Sequence, residues 1–244
     1  MKKFTLILLT LITLSCSDDA TNIEPSTIYE GNYEIRSETD LISFSESGYT
    51  EINGNLVINY TEDIEDLKGL ETLKKVNGIL IRYNDELKSL EGLEGLSQIE
   101  FFTLSYNLNL NSLKGLDNLT KITSSIIIEQ NADLKNLNGL DQLTEVGGDF
   151  FISHNDRLEN FNGIESLQNV SRFLVLNNIN LIDLTGLRNI VSTNRLQFDS
   201  NDLLNDFCIL SNFLEQNPDP ELFGARQNDY NPTVEDILNG NCTE

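Results

Sequence analysis

The chain is short of the residues that most often do chemistry. It has one histidine, His154, and three cysteines in 244 residues. A zinc site needs four such ligands brought together, and a lone histidine far from the cysteines in sequence does not supply them. No H-E-x-x-H, no phosphate-binding G-x-x-x-x-G-K and no G-x-G-x-x-G following a strand occurs, and no nucleophile stands in a triad-like setting. No loop follows the EF-hand order of calcium ligands. Basic residues are scarce as well: 16 Lys and Arg against 39 Asp and Glu, a formal net charge of −23. Such a chain repels nucleic acid and anionic membrane. The acids are spread through segments such as Glu62-Asp63 and Asp85-Glu86, which reads as a solvated face. No cofactor is implied.

Apolar runs are also short. The longest begins the chain, from Phe4 to Leu14 behind Lys2 and Lys3, and is too short to span a membrane as a stable helix. It has the form of an export leader, residues 1–15, ending at Thr13-Leu14-Ser15-Cys16. That end is similar to a loose bacterial lipobox, which implies lipidation of Cys16. The alternative is an ordinary secretory leader with an incidental cysteine. Ser17-Asp18-Asp19 resembles the acidic signal that sends some lipoproteins to the outer face of the outer membrane. Residues 16–28 are polar and read as a flexible tether.

What the chain does have is a repeat of 23 or 24 residues. Asn84, Asn107, Asn131, Asn155, Asn178 and Asn201 mark successive turns, with Thr61 in the equivalent place one turn earlier. Three residues after each mark stands an apolar residue, and then an L-x-G-L step such as Leu90-Glu91-Gly92-Leu93. Each repeat holds one apolar strand that cannot be buried alone, so stacking of repeats into a solenoid is required. Like residues then stack on like. One inward column is Leu56, Ile79, Phe102, Ile126, Phe150, Phe173 and Leu196; the other runs from Ile58 through Ile81 and Leu104 to Phe198. The asparagine amides form a ladder that satisfies backbone groups at the corner. The glycine of L-x-G-L meets a positive φ or a close approach between turns, with a loop or a single 3₁₀ turn in that segment.

The ends depart from the repeat. Residues 29–52 form an N-terminal cap: a strand at Tyr33 to Arg36, then a helix N-capped by Ser37, with Asp40 reaching back, that stops at Gly48. Residues 53–201 are the repeats, and residues 202–244 form a helical C-terminal cap. In that cap, Leu203 to Glu215 reads as a helix, and Pro232 as the first residue of a second. If Cys16 is acylated, Cys208 and Cys242 are the thiols left in an exported chain, and a disulfide between them is expected. The alternative is two reduced, buried cysteines.

The string from Asn131 to Ile152, NADLKNLNGLDQLTEVGGDFFI, has N-x-x-L where common leucine-rich repeats have N-x-L. It resembles the receptor L-domain repeats found in ectodomains of insulin- and epidermal-growth-factor-type receptors and in bacterial surface lipoproteins. The resemblance extends over about residues 33 to 242. It implies a mainly β, right-handed parallel solenoid of leucine-rich-repeat-like type with short helical caps at both ends.

On such a solenoid the outward residues lie four, two and one before each asparagine. That places Tyr60, Tyr83, Tyr106 and His154 in one column and Leu80, Ile127 and Phe151 in another. An exposed apolar stripe with stacked tyrosines marks a ligand-binding face for a protein or glycan partner at the cell surface. The bland alternative is that these neighbours only stabilise the sheet. The remaining alternatives are a polysaccharide-active β-helix enzyme, which needs clustered carboxylates in a groove, and a spacer lipoprotein without a ligand.

Overall fold

The computed structural model describes residues 27–244; Cys16 and the leader expected around it lie outside the described residues. The chain begins with two short strands, β1 (Ile28–Glu30) and β2 (Tyr33–Ile35), and a helix, α1 (Glu38–Ser47). Parallel rungs follow: β3 (Glu51–Asn59), β4 (Lys75–Arg82), β6 (Phe101–Ser105), β8 (Ile126–Glu129), β9 (Glu145–Ser153), β10 (Asn169–Leu176) and β11 (Arg195–Asp199). Two short strands, β5 (Gln98–Ile99) and β7 (Lys121–Ile122), make a second ladder beside the main one. The architecture is a mainly parallel β-solenoid with strands in sequence order and short helices near each end.

The register is the one the repeat predicts. Leu56 pairs with Ile79, Ile79 with Phe102, Phe102 with Ile126, Ile126 with Phe150, Phe150 with Phe173 and Phe173 with Leu196. Every member of this column is fully buried. So are the members of the second column, from Ile58 to Phe198. The leucines of the L-x-G-L steps close the core from the other side. Each rung buries little by itself; the column hides its apolar area only because the next rung repeats it.

The asparagine ladder forms at the corner. The backbone N–H and the Nδ2 of Asn84 both donate to Asn107 Oδ1, at 3.2 and 3.0 Å, and Asn84 Nδ2 also donates to the Ile58 carbonyl at 3.0 Å. The same pattern runs through Asn107, Asn131, Asn155, Asn178 and Asn201. Thr61 donates from its N–H and its hydroxyl to Asn84 Oδ1 and begins the ladder. The far end goes further than the repeat indicated: Asn201 donates to Asn228, and Asn228 to Asn231. A strand outside the sequence expectation, β12 (Phe223–Arg226), adds a rung beyond β11, pairing Leu196 with Phe223. An insertion precedes it, which is why the spacing from Asn201 to Asn228 hides it.

Two helices differ from expectation. The stretch from Leu203 is not helical to Glu215; α2 covers only Ser211–Gln216 after a 3₁₀ turn at Cys208–Leu210. Leu204 instead keeps the repeat's turn, its N–H on the Asn201 carbonyl at 2.9 Å, and Phe207 fills the core slot of the earlier leucines. Stacking on the previous rung overrides local helix propensity. The last helix, α3 (Val234–Leu238), starts after Pro232, with Thr233 as N-cap in a reciprocal capping box with Asp236. At α1, Ser37 Oγ accepts from Asp40 N–H as expected. The Asp40 carboxylate, however, reaches one residue further back, to the Arg36 N–H at 2.9 Å. Cys208 and Cys242 are joined by a disulfide.

Candidate functional site

Three columns run side by side along the outward surface of the main sheet. The first holds the residue four before each corner: Val57, Leu80, Thr103, Ile127, Phe151, Leu174. Register confirms their alignment, Leu80 with Val57 and Thr103, Ile127 with Thr103 and Phe151. Here the structure corrects the expectation of an exposed stripe. Leu80, Ile127 and Phe151 are half-buried, and Thr103 is buried. Side chains on rungs about 4.8 Å apart shield each other laterally, so the column offers a continuous surface and few protruding groups.

The second column, two before the corner, reads Asn59, Arg82, Ser105, Glu129, Ser153, Leu176 and Asp199. It starts rich in hydrogen-bond donors and becomes acidic and apolar further along.

The third column stands at the corner itself. Tyr60, Tyr83, Tyr106, Gln130, His154, Asn177 and Ser200 all have positive φ, between 53° and 58°. They lie just past the strand ends, in the left-handed conformation that turns the chain toward the buried asparagine. Tyr60, Tyr83 and Tyr106 form one stack. Ring centroids are 4.8 and 4.7 Å apart, with interplanar angles of 4° and 18°. The ring faces therefore cover one another, and the stack presents edges and hydroxyls outward. Tyr60 is the open end, 69 % exposed, against 40 % for Tyr83. Gln130 stands between Tyr106 and His154 in the column, so His154 is exposed and does not join the stack.

Sequence reasoning missed Phe101. Its ring lies over Gly78 on the neighbouring rung, so close that a Cβ on Gly78 would sit 2.3 Å from Phe101 Cε1. The signal was there: Gly78 and Phe101 are in register, and a large ring needs a bare backbone beneath it.

Charge is distributed unevenly. On the loop side, basic residues pair with acids of neighbouring turns, as in Lys88–Glu65 at 2.7 Å and Arg157–Asp133 at 2.8 Å. Glu91 bridges Lys68 and Lys114 at 3.0 and 2.6 Å, and these hydrogen bonds hold its carboxyl below the usual range. A groove of about 820 Å³ between α1 and the following loop is lined by Glu38, Glu46, Asp63, Glu65 and Lys68 among others, away from the sheet face. On the sheet face, Arg172 is held by Asp149, with Nε to Oδ1 at 2.7 Å, and Arg195 donates to Gln197 and the Glu221 carbonyl. Among the described residues Arg82 and Arg226 have no such partner.

Among the described residues no group of three or more His, Cys, Asp and Glu side chains is placed to hold a metal ion. None of their helices is long and apolar enough to cross a membrane.

Residues 49–135 match the family model for the receptor L domain. That segment covers β3 to β8 and so includes the whole tyrosine stack. No curated protein and no solved structure matches the chain.

Proposed function

We propose that this chain is a non-enzymatic binding module, hung on the outer membrane by a lipidated Cys16 and facing the cell exterior. It recognises a protein or glycan through the outward face of its sheet. Membrane contact is through the lipid anchor only, and the strongly acidic surface disfavours nucleic acid.

The observation that carries this reading is the tyrosine stack. Three rings are aligned in contact at positive-φ corners, where a non-glycine residue is unusual and a tyrosine brings no buried area to the core. The same corner column accepts Gln130, Asn177 and Ser200 further along, so the fold does not demand an aromatic there. One column over from the stack runs a largely apolar column, Val57, Leu80, Ile127, Phe151 and Leu174, interrupted by Thr103, whose half-buried side chains offer a broad surface to a partner. Leader composition, the Cys16 context and the acidic Ser17-Asp18-Asp19 support export and anchoring.

The test is surface capture. Cells displaying the full chain are probed with labelled extracellular proteins and a glycan array. The double variant Tyr83→Ser, Phe151→Ser is expected to lose capture while keeping the wild-type melting curve to within a few degrees. Capture that survives the double substitution removes this face; absence of any capture by the wild type leaves a spacer. Protease accessibility of the chain on intact cells checks its outward orientation, and metabolic labelling with a fatty acid, lost in Cys16→Ala, checks the anchor.

A further inference from the structure

Three rungs of the face, β3, β4 and β6, repeat one unusual arrangement. Each carries a polar side chain between the first column and a stacked tyrosine: Asn59 beside Tyr60, Arg82 beside Tyr83, Ser105 beside Tyr106. Among the described residues none of these three polar side chains makes a hydrogen bond or an ion pair. Asn59 Oδ1 and Arg82 Nε are enclosed without a hydrogen-bond partner among the described residues. The terminal nitrogens of Arg82 also have no acceptor among the described residues. In a chain of net charge −23, Arg172 and Arg195 on the same sheet are both held by neighbours; Arg226, at the far end of the same column on β12, shares the unpaired state of Arg82 but stands beside Asp199 and has no stacked tyrosine next to it. The enclosed Nε of Arg82 means that packing, not a counter-ion, fixes its stem.

Resting on the reading that the sheet face binds a ligand, we propose that Asn59, Arg82 and Ser105, with the flanking tyrosines, form a subsite for a uronate, a sugar ring carrying a carboxylate. The guanidinium fork takes the carboxylate through two parallel N–H donors. The Asn59 Nδ2, the end of that amide not enclosed, and the Ser105 hydroxyl, one rung to either side and about 4.8 Å away, meet hydroxyls of the same or the next ring. Among the described residues the Tyr83 and Tyr106 hydroxyls have no hydrogen-bond partner, and they line the site's edge. Tyr60, whose outer ring face is uncovered, offers a platform for the apolar face of a pyranose.

A glutamate or aspartate of a protein partner shares the carboxylate but fits the remainder less well. Backbone groups of these rungs are consumed by the ladder, so a peptide cannot add as a strand here. It would leave the Asn59 and Ser105 groups facing it without hydroxyls. The overall negative charge does not forbid the site. Loop acids more than about 8 Å away are screened at physiological salt, whereas direct contact with Arg82 is not.

Calorimetry on the purified full-length chain tests this with galacturonate and glucuronate trimers, their methyl esters, a neutral galactose trimer and a glutamate-rich peptide. A uronate trimer is expected to bind, with esterification weakening it by at least about tenfold. Arg82→Gln should produce the same loss, Arg82→Lys a smaller one, and Arg172→Gln, which removes a committed arginine from the same sheet, none. The assignment is overturned if neither trimer binds, if ester and acid bind alike, if Arg82→Gln is silent, or if the glutamate peptide binds as tightly as the trimer. Partner capture by displayed chain separates the two levels. Capture lost in Tyr83→Ser, Phe151→Ser but unchanged in Arg82→Gln sinks the uronate subsite alone; capture indifferent to both sinks the face.

Discussion

Asn107 gives both its backbone N–H and its side-chain Nδ2 to one atom, the Oδ1 of Asn131, at 3.2 and 3.1 Å. Asn131 in turn donates to the Leu104 carbonyl at 3.1 Å and to Asn155. All three asparagines are fully buried. Each amide thus serves two neighbouring turns, and the ladder ties rungs that are otherwise joined only through their strands.

Removing a middle member should be expensive. Asn131→Ala leaves the buried Asn107 N–H without its acceptor, removes one of three acceptors from the Asn107 amide, which keeps the Ile81 and Ser105 carbonyls, and takes the amide donor from the Leu104 carbonyl. The expected cost is roughly 2–5 kcal/mol. Asn109→Ala, an exposed loop amide that donates to the Asp85 carbonyl, should cost no more than about 1 kcal/mol. Urea melts of both variants read the difference.

The glycine of L-x-G-L is fixed by space as well as by φ. Gly92 has φ +118°, and a Cβ there would lie 1.9 Å from the Leu67 carbonyl oxygen on the previous turn. Gly31 has φ +98° but nothing within 4 Å of a built Cβ. Gly92→Ala should therefore force two turns apart and lose more than about 3 kcal/mol, while Gly31→Ala pays only the backbone term of about 1–2 kcal/mol. Equal losses in thermal melts would mean that the close approach carries no energy.

The Cys208–Cys242 disulfide closes a separation of 34 residues around β12 and the terminal helices. On the loop-entropy account its loss costs about 3–4 kcal/mol. The double variant Cys208→Ala, Cys242→Ala should expose the C-terminal cap first. Hydrogen exchange is expected to rise in β12 and α3 while β4 to β9 stay protected, since each rung leans on its neighbours. Uniform loss of protection would instead mean one cooperative unit.

The capping box at α3 makes a pH-dependent contribution. The Thr233 hydroxyl, then the Thr233 backbone N–H, hold the Asp236 carboxyl below its ordinary value. A depressed folded-state value gives stability that is fully present above the unfolded carboxylate's pKa and is lost as pH falls through the folded one. Wild type should melt above Asp236→Asn at neutral pH, and the gap should close on acidification below the ordinary carboxylate range. A gap that widens in acid contradicts the assignment.

The repeat was legible because its period is written into every turn. Both inward columns, the asparagine ladder from Thr61 to Asn201 and the α1 boundaries at Ser37 and Gly48 follow from spacing and residue type alone. The stacking of the three tyrosines follows from the register too. Where the reading stopped short, the period was broken or the cause was distant. The insertion before Phe223 hid β12 and the ladder's continuation through Asn228 to Asn231. Leu203 to Phe207 has helical spacing, yet the path of the preceding rung holds it in the repeat's turn.

Sequence by itself determined the coil, since a strand that repeats its apolar residues every turn has only its own copies to bury them against. Tertiary structure decided how the outer surface is used. Whether Leu80 is exposed or shielded, whether Phe101 covers Gly78, and whether Arg82 finds a counter-ion depend on side chains one or two rungs away. Those rungs stand 23 or more residues along the chain, and no local pattern reports how their side chains settle together.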